Sequence, residues 1–192
     1  GISFDKLDQL GSIQWPCNKE APEGTTIMHV DRFVRGSGKF IITEFVPTTE
    51  VANRRFPLLL TTGRKLTQYN VGTQTRRTPN NIWGMDDVLE IHPIDASTRG
   101  ISDNSLVLLQ SRKGETTLKV LVTEDIVPGV VYTTFHNPET GANVVTTENS
   151  DWATNCPEYK VTAVEISPAE HRSNWQINRT KKLEQLRQII NS

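Results

Sequence analysis

The sequence predicts a mainly β domain, a β-barrel with short helices, and two observations lead to this fold class. From Phe56 onward, short apolar or alternating stretches recur between turn residues such as glycine, proline and asparagine. A helical period of apolar residues occurs only after Pro168, near the end of the sequence. Many short strands with few helices are typical of a barrel, because a closed sheet buries one face and leaves no free edge.

Turn signals separate the predicted strands from one another. Pro93, after the second strand, is placed to start a short helix that Gly100 ends. Arg112 to Gly114 form a turn, and the strand after it alternates apolar and polar residues. The predicted strands cover residues 57–60, 89–92, 105–111, 115–123, 130–135 and 159–166.

An irregular segment precedes the strands. We expect residues 1–52 to form an N-terminal extension that packs on a barrel of residues 53–168. Within the extension, residues 5–9 are predicted as one helical turn, and residues 39–45 have the composition of a strand. The first residue is Gly1 rather than methionine, so we expect the chain to be a fragment of a longer one.

The tail, residues 169–192, is predicted as an amphipathic helix. Ser173 and Gln176 have the spacing of a capping box, which marks a helix start. Apolar residues then recur at helical spacing among Lys, Arg and Glu. We expect this apolar stripe, Leu183, Leu186 and Ile190, to dock on the domain or on another part of the parent chain.

Composition excludes several classes of function. The net charge is −1 and 22% of residues are charged, which gives no indication of a nucleic-acid partner or an anionic membrane surface. The sequence contains neither a signal-peptide pattern nor an apolar run long enough to span a bilayer. Cys17 and Cys156 lack metal-ligand spacing, so we expect reduced thiols in a cytoplasmic protein, with a disulfide as the alternative.

Residues 61–78 are the first candidate binding loop. The apolar strand stops at Thr62-Gly63-Arg64, where glycine lets the backbone approach a ligand and arginine supplies a planar set of donors that suits phosphate. A polar run follows and ends at Arg76-Arg77, two guanidinium groups that suit an anionic ligand or are simply solvated. A strand followed by a polar loop is common, so this pattern alone leaves ligand binding open.

Residues 136–160 are the second candidate loop. They join two predicted strands over a length that is usually functional or disordered, and their Asn, Thr and Trp content disfavours disorder. Asn143, Asn149 and Asn155 carry amides that can pair with the edge of a heterocycle, while Tyr159 and Lys160 lie at the start of the closing strand. The alternative is that these groups only satisfy one another and the loop backbone.

The sequence contains no recognisable catalytic constellation. Its histidines, His29, His92, His136 and His171, are scattered, and His92 before Pro93 is interpreted as structural. A hydrolase that uses His136 and Asp151 is disfavoured because no nucleophile motif accompanies them. A small barrel that binds single-stranded nucleic acid is disfavoured by the net charge of −1.

Several motifs in order resemble one known family over about residues 10–168. They are QWPC, GSGKF, LTTGRKLTQYNVGTQTRR, LEIHPIDASTRGI, SRKGE, PGVVYTTFH and TTENSDWATNCPEYKVTAV. Together they resemble the C-terminal dinucleotide-binding domain of the molybdopterin oxidoreductase family, with the closest likeness to formate dehydrogenase alpha subunits. The same domain of another member, such as a nitrate reductase, is the alternative.

The resemblance implies a six-stranded double-psi β-barrel that closes over bis(molybdopterin guanine dinucleotide) carrying molybdenum or tungsten. The upstream domains of the alpha subunit and other formate dehydrogenase subunits are the implied partners. Because the family's metal ligand and catalytic residues lie upstream, the chain is not expected to oxidise formate alone, or to carry the cofactor in isolation. By motif position, the implied cofactor-binding residues are Thr62, Gly63, Arg64, Leu66, Gln68, Asn70, Phe135, His136, Asn149, Tyr159 and Lys160.

Overall fold

The structure is a computed structural model that describes residues 1–33, 35–84 and 86–191. The predicted extension, barrel and tail therefore each include one residue outside the described ranges. The chain divides into two compact units, Gly1–Pro47 and Thr48–Ser192. The first unit contains one helix, α1 (Phe4–Leu10), at the predicted position. The side chain of Ser3 caps its start, and the helix ends at Gly11, whose φ of 74° suits glycine.

The second unit is built around a closed barrel of six strands. The strands lie in the order β1-β5-β2-β4-β3-β6, and β6 pairs back with β1. The pairs β1/β5 and β2/β4 are parallel, and the remaining pairs are antiparallel. The predicted fold class is thus confirmed. The strand bounds are β1 Leu58–Gly63, β2 Val88–Ile91, β3 Leu106–Ser111, β4 Glu115–Val122, β5 Val130–Thr134 and β6 Thr162–Pro168.

Alternation along the strands accounts for the barrel interior. In β3, every second residue is buried, which places Val107 and Leu109 inside. The same pattern in β2 buries Leu89 and Ile91. Burying aliphatic side chains of this size stabilises the fold by roughly 1.5–3 kcal/mol for each one. The core comprises Leu58, Leu60, Leu89, Ile91, Ala96, Ile101, Val107, Leu109, Leu118, Val120, Val131, Val145, Val164 and Ile166.

Residues 39–45 do not form the strand that their composition predicts. This stretch has no assigned helix or strand, and Phe40 and Ile42 are fully exposed. A strand needs a neighbour to satisfy its backbone groups, and none of the described strands pairs with this stretch. The strand predicted from the composition of residues 39–45 is therefore wrong, because no described strand is there to pair with it.

The helices of the second unit begin with side-chain caps. In α2 (Pro93–Thr98), the ring of His92 accepts a hydrogen bond from the backbone N–H of Ile94, which gives this histidine a structural role. In α3 (Asn174–Ile190), Ser173 and Gln176 form the predicted capping box. The Gln176 amide also bonds to the backbone and hydroxyl of Thr117 in β4, so the helix start is fixed to the barrel.

The apolar stripe of α3 is less covered than its start. Gln176 is only 7% exposed, whereas Leu186 is 45% and Ile190 is 80% exposed. Contact with the barrel therefore concentrates in the first turns of the helix.

The parallel pairing of β1 and β5 determines where the two polar loops begin. In register, Gly63 at the end of β1 pairs with Thr134 at the end of β5. Because parallel strands end at the same edge of a sheet, residues 64 and 135 leave the barrel side by side. The first polar loop (residues 64–78) and the second polar loop (residues 137–161) therefore start from one rim.

Candidate functional site

A cavity of about 410 Å³ opens at this rim between the two polar loops. The end of β1 contributes Arg64, and the end of β5 contributes Phe135. The second polar loop supplies the other wall. The lining residues are Arg64, Phe135, Asn143, Thr146, Thr147, Pro157 and Tyr159. Arg64 and Tyr159, which lie far apart in sequence, thus share one cavity.

Arg64 is held in place on three sides. Its Nη2 donates to Oδ1 of Asn70 at 3.1 Å, and its guanidinium lies 5.8 Å from the centre of the Phe135 ring. Its backbone carbonyl accepts a hydrogen bond from the Tyr132 hydroxyl at 3.2 Å. Since the guanidinium has five N–H donors, those not bonded to Asn70 are directed to solvent or to a ligand in the cavity.

Gly63 is required by the close approach of Tyr132. A Cβ atom at position 63 would lie 2.5 Å from the Tyr132 hydroxyl oxygen and 2.7 Å from Cε2, distances that real Cβ contacts do not show. Burial raises the pKa of Tyr132, and the negative charges of Glu90 and Asp87 raise it further. The phenol therefore stays protonated at neutral pH and can donate to the Arg64 carbonyl.

Tyr159 and Lys160, predicted at the start of the closing strand, instead lie just before β6 and fasten the far wall to β1. Thr62 is buried, and its hydroxyl donates to the carbonyl of Tyr159 at 2.9 Å. The ammonium of Lys160 donates to the carbonyl of Thr62 at 3.0 Å and lies 5.9 Å from the centre of the Tyr159 ring. These reciprocal bonds hold Tyr159 at the cavity, and they use polar atoms that the sequence suggested for direct ligand contact.

Two predicted residues have their polar groups turned to the protein. His136 is completely buried, and both of its ring nitrogens contact backbone atoms of the first polar loop. Asn149 donates to the hydroxyl of Thr49 at 2.9 Å. Leu66, by contrast, has a fully exposed side chain.

Gln68 lies inside the first polar loop and is 5% exposed. Its carbonyl oxygen accepts from the Thr75 hydroxyl at 2.8 Å, while its Nε2 is buried without a partner among the described residues. Arg76, in the same loop, donates to Oδ1 of Asn137 at 3.0 Å. An unpaired buried donor costs free energy, so Nε2 of Gln68 is available to an acceptor that enters the loop.

Asn143, Thr146, Thr147 and Pro157 line the cavity although none is among the binding residues implied by motif position. A short 3-10 turn at Ala142–Val144, anchored by the buried side chain of Val145, presents this wall. The hydroxyl of Thr147 is buried and has no partner among the described residues. The sequence indicates the Asn143 amide as one of three that can pair with a heterocycle. Nothing in the sequence distinguishes Thr146 and Thr147 from the other threonines of the loop.

Two carboxyl groups near the loops, those of Asp151 and Glu90, have shifted pKa values whose causes lie in their surroundings. Asp151 accepts hydrogen bonds from the Thr154 hydroxyl and from the backbone N–H groups of Thr154, Cys156 and Ala153, which lower its pKa to about 2. Burial and the neighbouring charge of Asp125 raise the pKa of Glu90, which the charge of Lys65 partly opposes. The Asp151 carboxylate therefore remains ionised and organises its loop at neutral pH.

Within the described ranges, no group of three or more His, Cys, Asp or Glu side chains is arranged to hold a metal ion. Cys17 is buried, Cys156 is exposed, and they are not joined by a disulfide. Across the same ranges, no helix combines the length and the apolar character that crossing a membrane requires.

Comparison with known proteins yields relatives that are much longer than this chain. The F420-dependent formate dehydrogenase subunit alpha of Methanocaldococcus jannaschii is 40% identical over 169 residues, which cover 86% of this chain and 25% of that protein. The assimilatory nitrate reductase catalytic subunit of Bacillus subtilis is 31% identical over 174 residues, which cover 88% of this chain and 24% of that protein. The chain thus spans about a quarter of the length of these relatives.

A solved structure and a protein family agree with the barrel. Acetylene hydratase from Pelobacter acetylenicus superposes with a TM-score of 0.51 at 15% identity, over 59% of this chain and 18% of that one, which shows a shared fold. The family described as "Molydopterin dinucleotide binding domain" matches residues 58–163, from the start of β1 into β6. This match supports a molybdopterin-type cofactor in the parent enzyme. The chain belongs to the molybdopterin dinucleotide-binding domain family.

Proposed function

We propose that this chain is the cofactor-binding domain of a formate dehydrogenase alpha subunit, and that it holds bis(molybdopterin guanine dinucleotide) with molybdenum or tungsten. The observation that carries the proposal is the cavity between the two polar loops, with Arg64 on one side and Tyr159 on the other. The 40% identity to a formate dehydrogenase alpha subunit supports formate oxidation as the reaction of the parent enzyme.

The residues present fit a nucleotide portion of such a cofactor. The cavity of about 410 Å³ has the size of a small-molecule site, for which roughly 300–1,000 Å³ is usual. Arg64 offers guanidinium donors to phosphate oxygens, and Phe135 and Tyr159 offer aromatic faces to a flat heterocycle. The hydroxyl of Thr147, which has no partner in the described part of the chain, adds a donor that a pterin or guanine edge can use.

When bound, the cofactor supplies the redox chemistry at its metal, and the chain's own residues bind and orient it. Arg64 would bind a phosphate of the cofactor, and Phe135 and Tyr159 would offer their rings to its heterocycle. Thr62 and Lys160 bond the wall at Tyr159 to β1, and Gly63 leaves room for the Tyr132 ring, whose hydroxyl donates to the Arg64 carbonyl. Leu66, Gln68, Asn70 and Asn149 complete the proposed binding residues on the two loops, and His136, which directly precedes the second loop, belongs to the site through its contacts with the first.

The proposed partners are the upstream domains of the parent alpha subunit and other formate dehydrogenase subunits. We place the protein in the cytoplasm, which the two unpaired cysteines support because thiols persist in a reducing compartment. The chain by itself is not expected to oxidise formate.

Replacing Arg64 by Ala in the parent enzyme tests the proposal. A charge-assisted hydrogen bond contributes about 2–3 kcal/mol, so we expect the variant to retain the cofactor roughly 30- to 150-fold less tightly. Arg64→Lys should give an intermediate loss, because the charge stays and the planar set of donors is lost. The measurement is the molybdenum or tungsten content, together with the guanine nucleotide released from the purified protein.

Arg54→Ala is the matched control, since Arg54 is an exposed arginine that precedes β1 and does not line the cavity. Metal and nucleotide contents equal to those of the wild type in Arg64→Ala would contradict the proposed site.

A nitrate reductase is the second candidate, which the 31% identity to the Bacillus subtilis catalytic subunit supports. The two candidates share the cofactor domain and differ in the reaction of the parent enzyme. Assays of the purified parent with formate and with nitrate discriminate them, and nitrate reduction without formate oxidation would favour the second.

A further inference from the structure

His136 has an unusual position for a residue that the motif places among the cofactor contacts. It directly follows Phe135, a residue of the cavity wall, yet its own side chain is completely buried. Both of its ring nitrogens lie against the backbone of the first polar loop. A side chain with these contacts has no polar atom left for a ligand in the cavity.

The two backbone partners determine the protonation of the ring. Nε2 of His136 accepts a hydrogen bond from the backbone N–H of Lys65 at 2.9 Å. Nδ1 faces the carbonyl oxygen of Asn70. A backbone N–H can only donate and a carbonyl oxygen can only accept, so the ring is neutral and carries its proton on Nδ1. One histidine therefore links two backbone groups that lie five positions apart in the loop.

The linked positions control the conformation that presents Arg64. Asn70 has a φ of 47°, a left-handed conformation that asparagine tolerates but that needs support from its surroundings. Oδ1 of this asparagine accepts from Nη2 of Arg64 at 3.1 Å. Fixing the Asn70 backbone therefore also fixes the acceptor that orients the guanidinium, while the bond to Lys65 fixes the residue after Arg64.

We propose that His136 is a positioning residue for the cofactor site: it holds residues 64–70 in the conformation that presents Arg64 to the cavity, and it does not contact the ligand itself. The inference rests on the proposed function for its ligand. Without the imidazole, the Lys65 N–H and the Asn70 carbonyl lose their buried partner and the loop becomes free to open.

Three variants of the full-length parent protein separate this role from direct contact. His136→Ala removes both bonds. His136→Gln places an amide oxygen near the position of Nε2 and can accept from Lys65, whereas His136→Asn places an amide nitrogen near the position of Nδ1 and can donate to Asn70. The readouts are amide exchange at residues 64–72 in cofactor-free protein and the guanine nucleotide and metal contents of protein purified with cofactor.

In His136→Ala, we expect the Lys65 amide hydrogen to exchange at least tenfold faster than in the wild type. We expect the purified variant to contain at least tenfold less nucleotide. His136→Gln should recover protection of the Lys65 amide and part of the nucleotide content, and His136→Asn should leave that amide unprotected. Exchange at Val131 and Val164, both buried in the barrel, should be unchanged in all three variants. If His136→Ala unfolds the barrel, the comparison of His136→Gln with His136→Asn still tests whether the bond to the Lys65 amide orders the loop.

Unchanged exchange at residues 64–72 together with lost nucleotide would overturn the inference, because it would indicate direct contact with the ligand. Faster exchange with full nucleotide content would overturn it as well. A wild-type parent protein that contains no molybdopterin nucleotide would instead refute the proposed function, and the exchange data would still test whether His136 orders the loop.

Discussion

The two polar loops leave the barrel from neighbouring parallel strands, but they are held in different ways. The first loop, residues 64–78, bonds to β5 and to the residues that follow it: the Arg64 carbonyl to Tyr132, the Lys65 N–H to His136, and the Arg76 guanidinium to Asn137 at the start of the second loop. The second loop, residues 137–161, is bonded to the barrel near its two ends, whereas its middle, residues 150–157, is organised from within by Asp151 and a bridge between Ser150 and Pro157. The first loop therefore depends on partners at the rim, whereas residues 150–157 of the second loop depend mainly on one another.

This difference indicates a division of roles at the rim. A wall bonded to a rigid sheet keeps a charged group such as Arg64 at a fixed position, which suits a phosphate. A segment held by its own hydrogen bonds can adjust locally without disturbing the core. The comparison predicts that changes to the supports of the rim affect the whole barrel, and that changes within residues 150–157 stay local.

Replacing Asp87 should have the largest effect on the free energy of unfolding. This carboxylate is 3% exposed and accepts from the hydroxyl of Thr134 and, at 2.7 Å, from the backbone N–H of Asn137. Asp87→Ala should lower the free energy of unfolding by about 3 kcal/mol, because it leaves two buried donors unpaired. Urea denaturation measures the change.

Asp87→Asn is the matched variant. The amide oxygen of the new asparagine can still accept from the Asn137 N–H, and its NH2 group can donate to the Thr134 hydroxyl. We expect a cost of about 1 kcal/mol for this variant. Equal costs for the Ala and Asn variants would show that the two hydrogen bonds do not support the rim.

Gly63→Ala should have the next largest effect. The added methyl group meets the ring of Tyr132, and overpacking of this kind costs about 2 kcal/mol. The cost should largely disappear when Tyr132 is also Ala, which a double-mutant cycle in urea measures. Gly38→Ala is the control, because a Cβ there meets no atom within 4 Å. An equal cost in both backgrounds would exclude the Tyr132 contact as the cause.

Asp151→Asn should have the smallest effect on the barrel and a clear effect on the second loop. Hydrogen bonds lower the pKa of Asp151 from 3.8 to about 2 in the folded protein, so its contribution to loop order is complete above 3.8 and is lost as the pH falls through about 2. In wild-type protein, the amides of Ala153, Thr154 and Cys156 should lose their bonded chemical shifts over this interval, as measured by NMR.

In Asp151→Asn, these shifts should be altered already at pH 7, while the shifts of barrel residues stay as in the wild type. Loss of barrel signals in this variant would contradict the local character of the second loop. Thr123→Ala, at the end of another turn, provides a control for a lost hydroxyl acceptor.

The fold was largely predictable from the sequence, whereas the hydrogen-bond partners of the site residues were not. Alternation in strands such as β3 and β4, and the capping box at Ser173, are local signals that the structure confirms. Residues 39–45 carry a similar local signal without a partner strand and remain irregular. Thr62 and His136 both lie in the predicted motifs, but their polar atoms bond to the protein, which only the contacts of the folded chain reveal.

The sequence by itself determined which stretches become strands, where the helices start, and that two polar loops follow apolar strands, because these features depend on periodicity and on neighbours along the chain. Only the tertiary structure decided that the loops after β1 and β5 meet, since their parallel pairing joins residues some seventy positions apart. The same pairing places Arg64 beside Phe135 and turns His136 inward, because a side chain's role depends on which backbone groups the closed barrel brings against it.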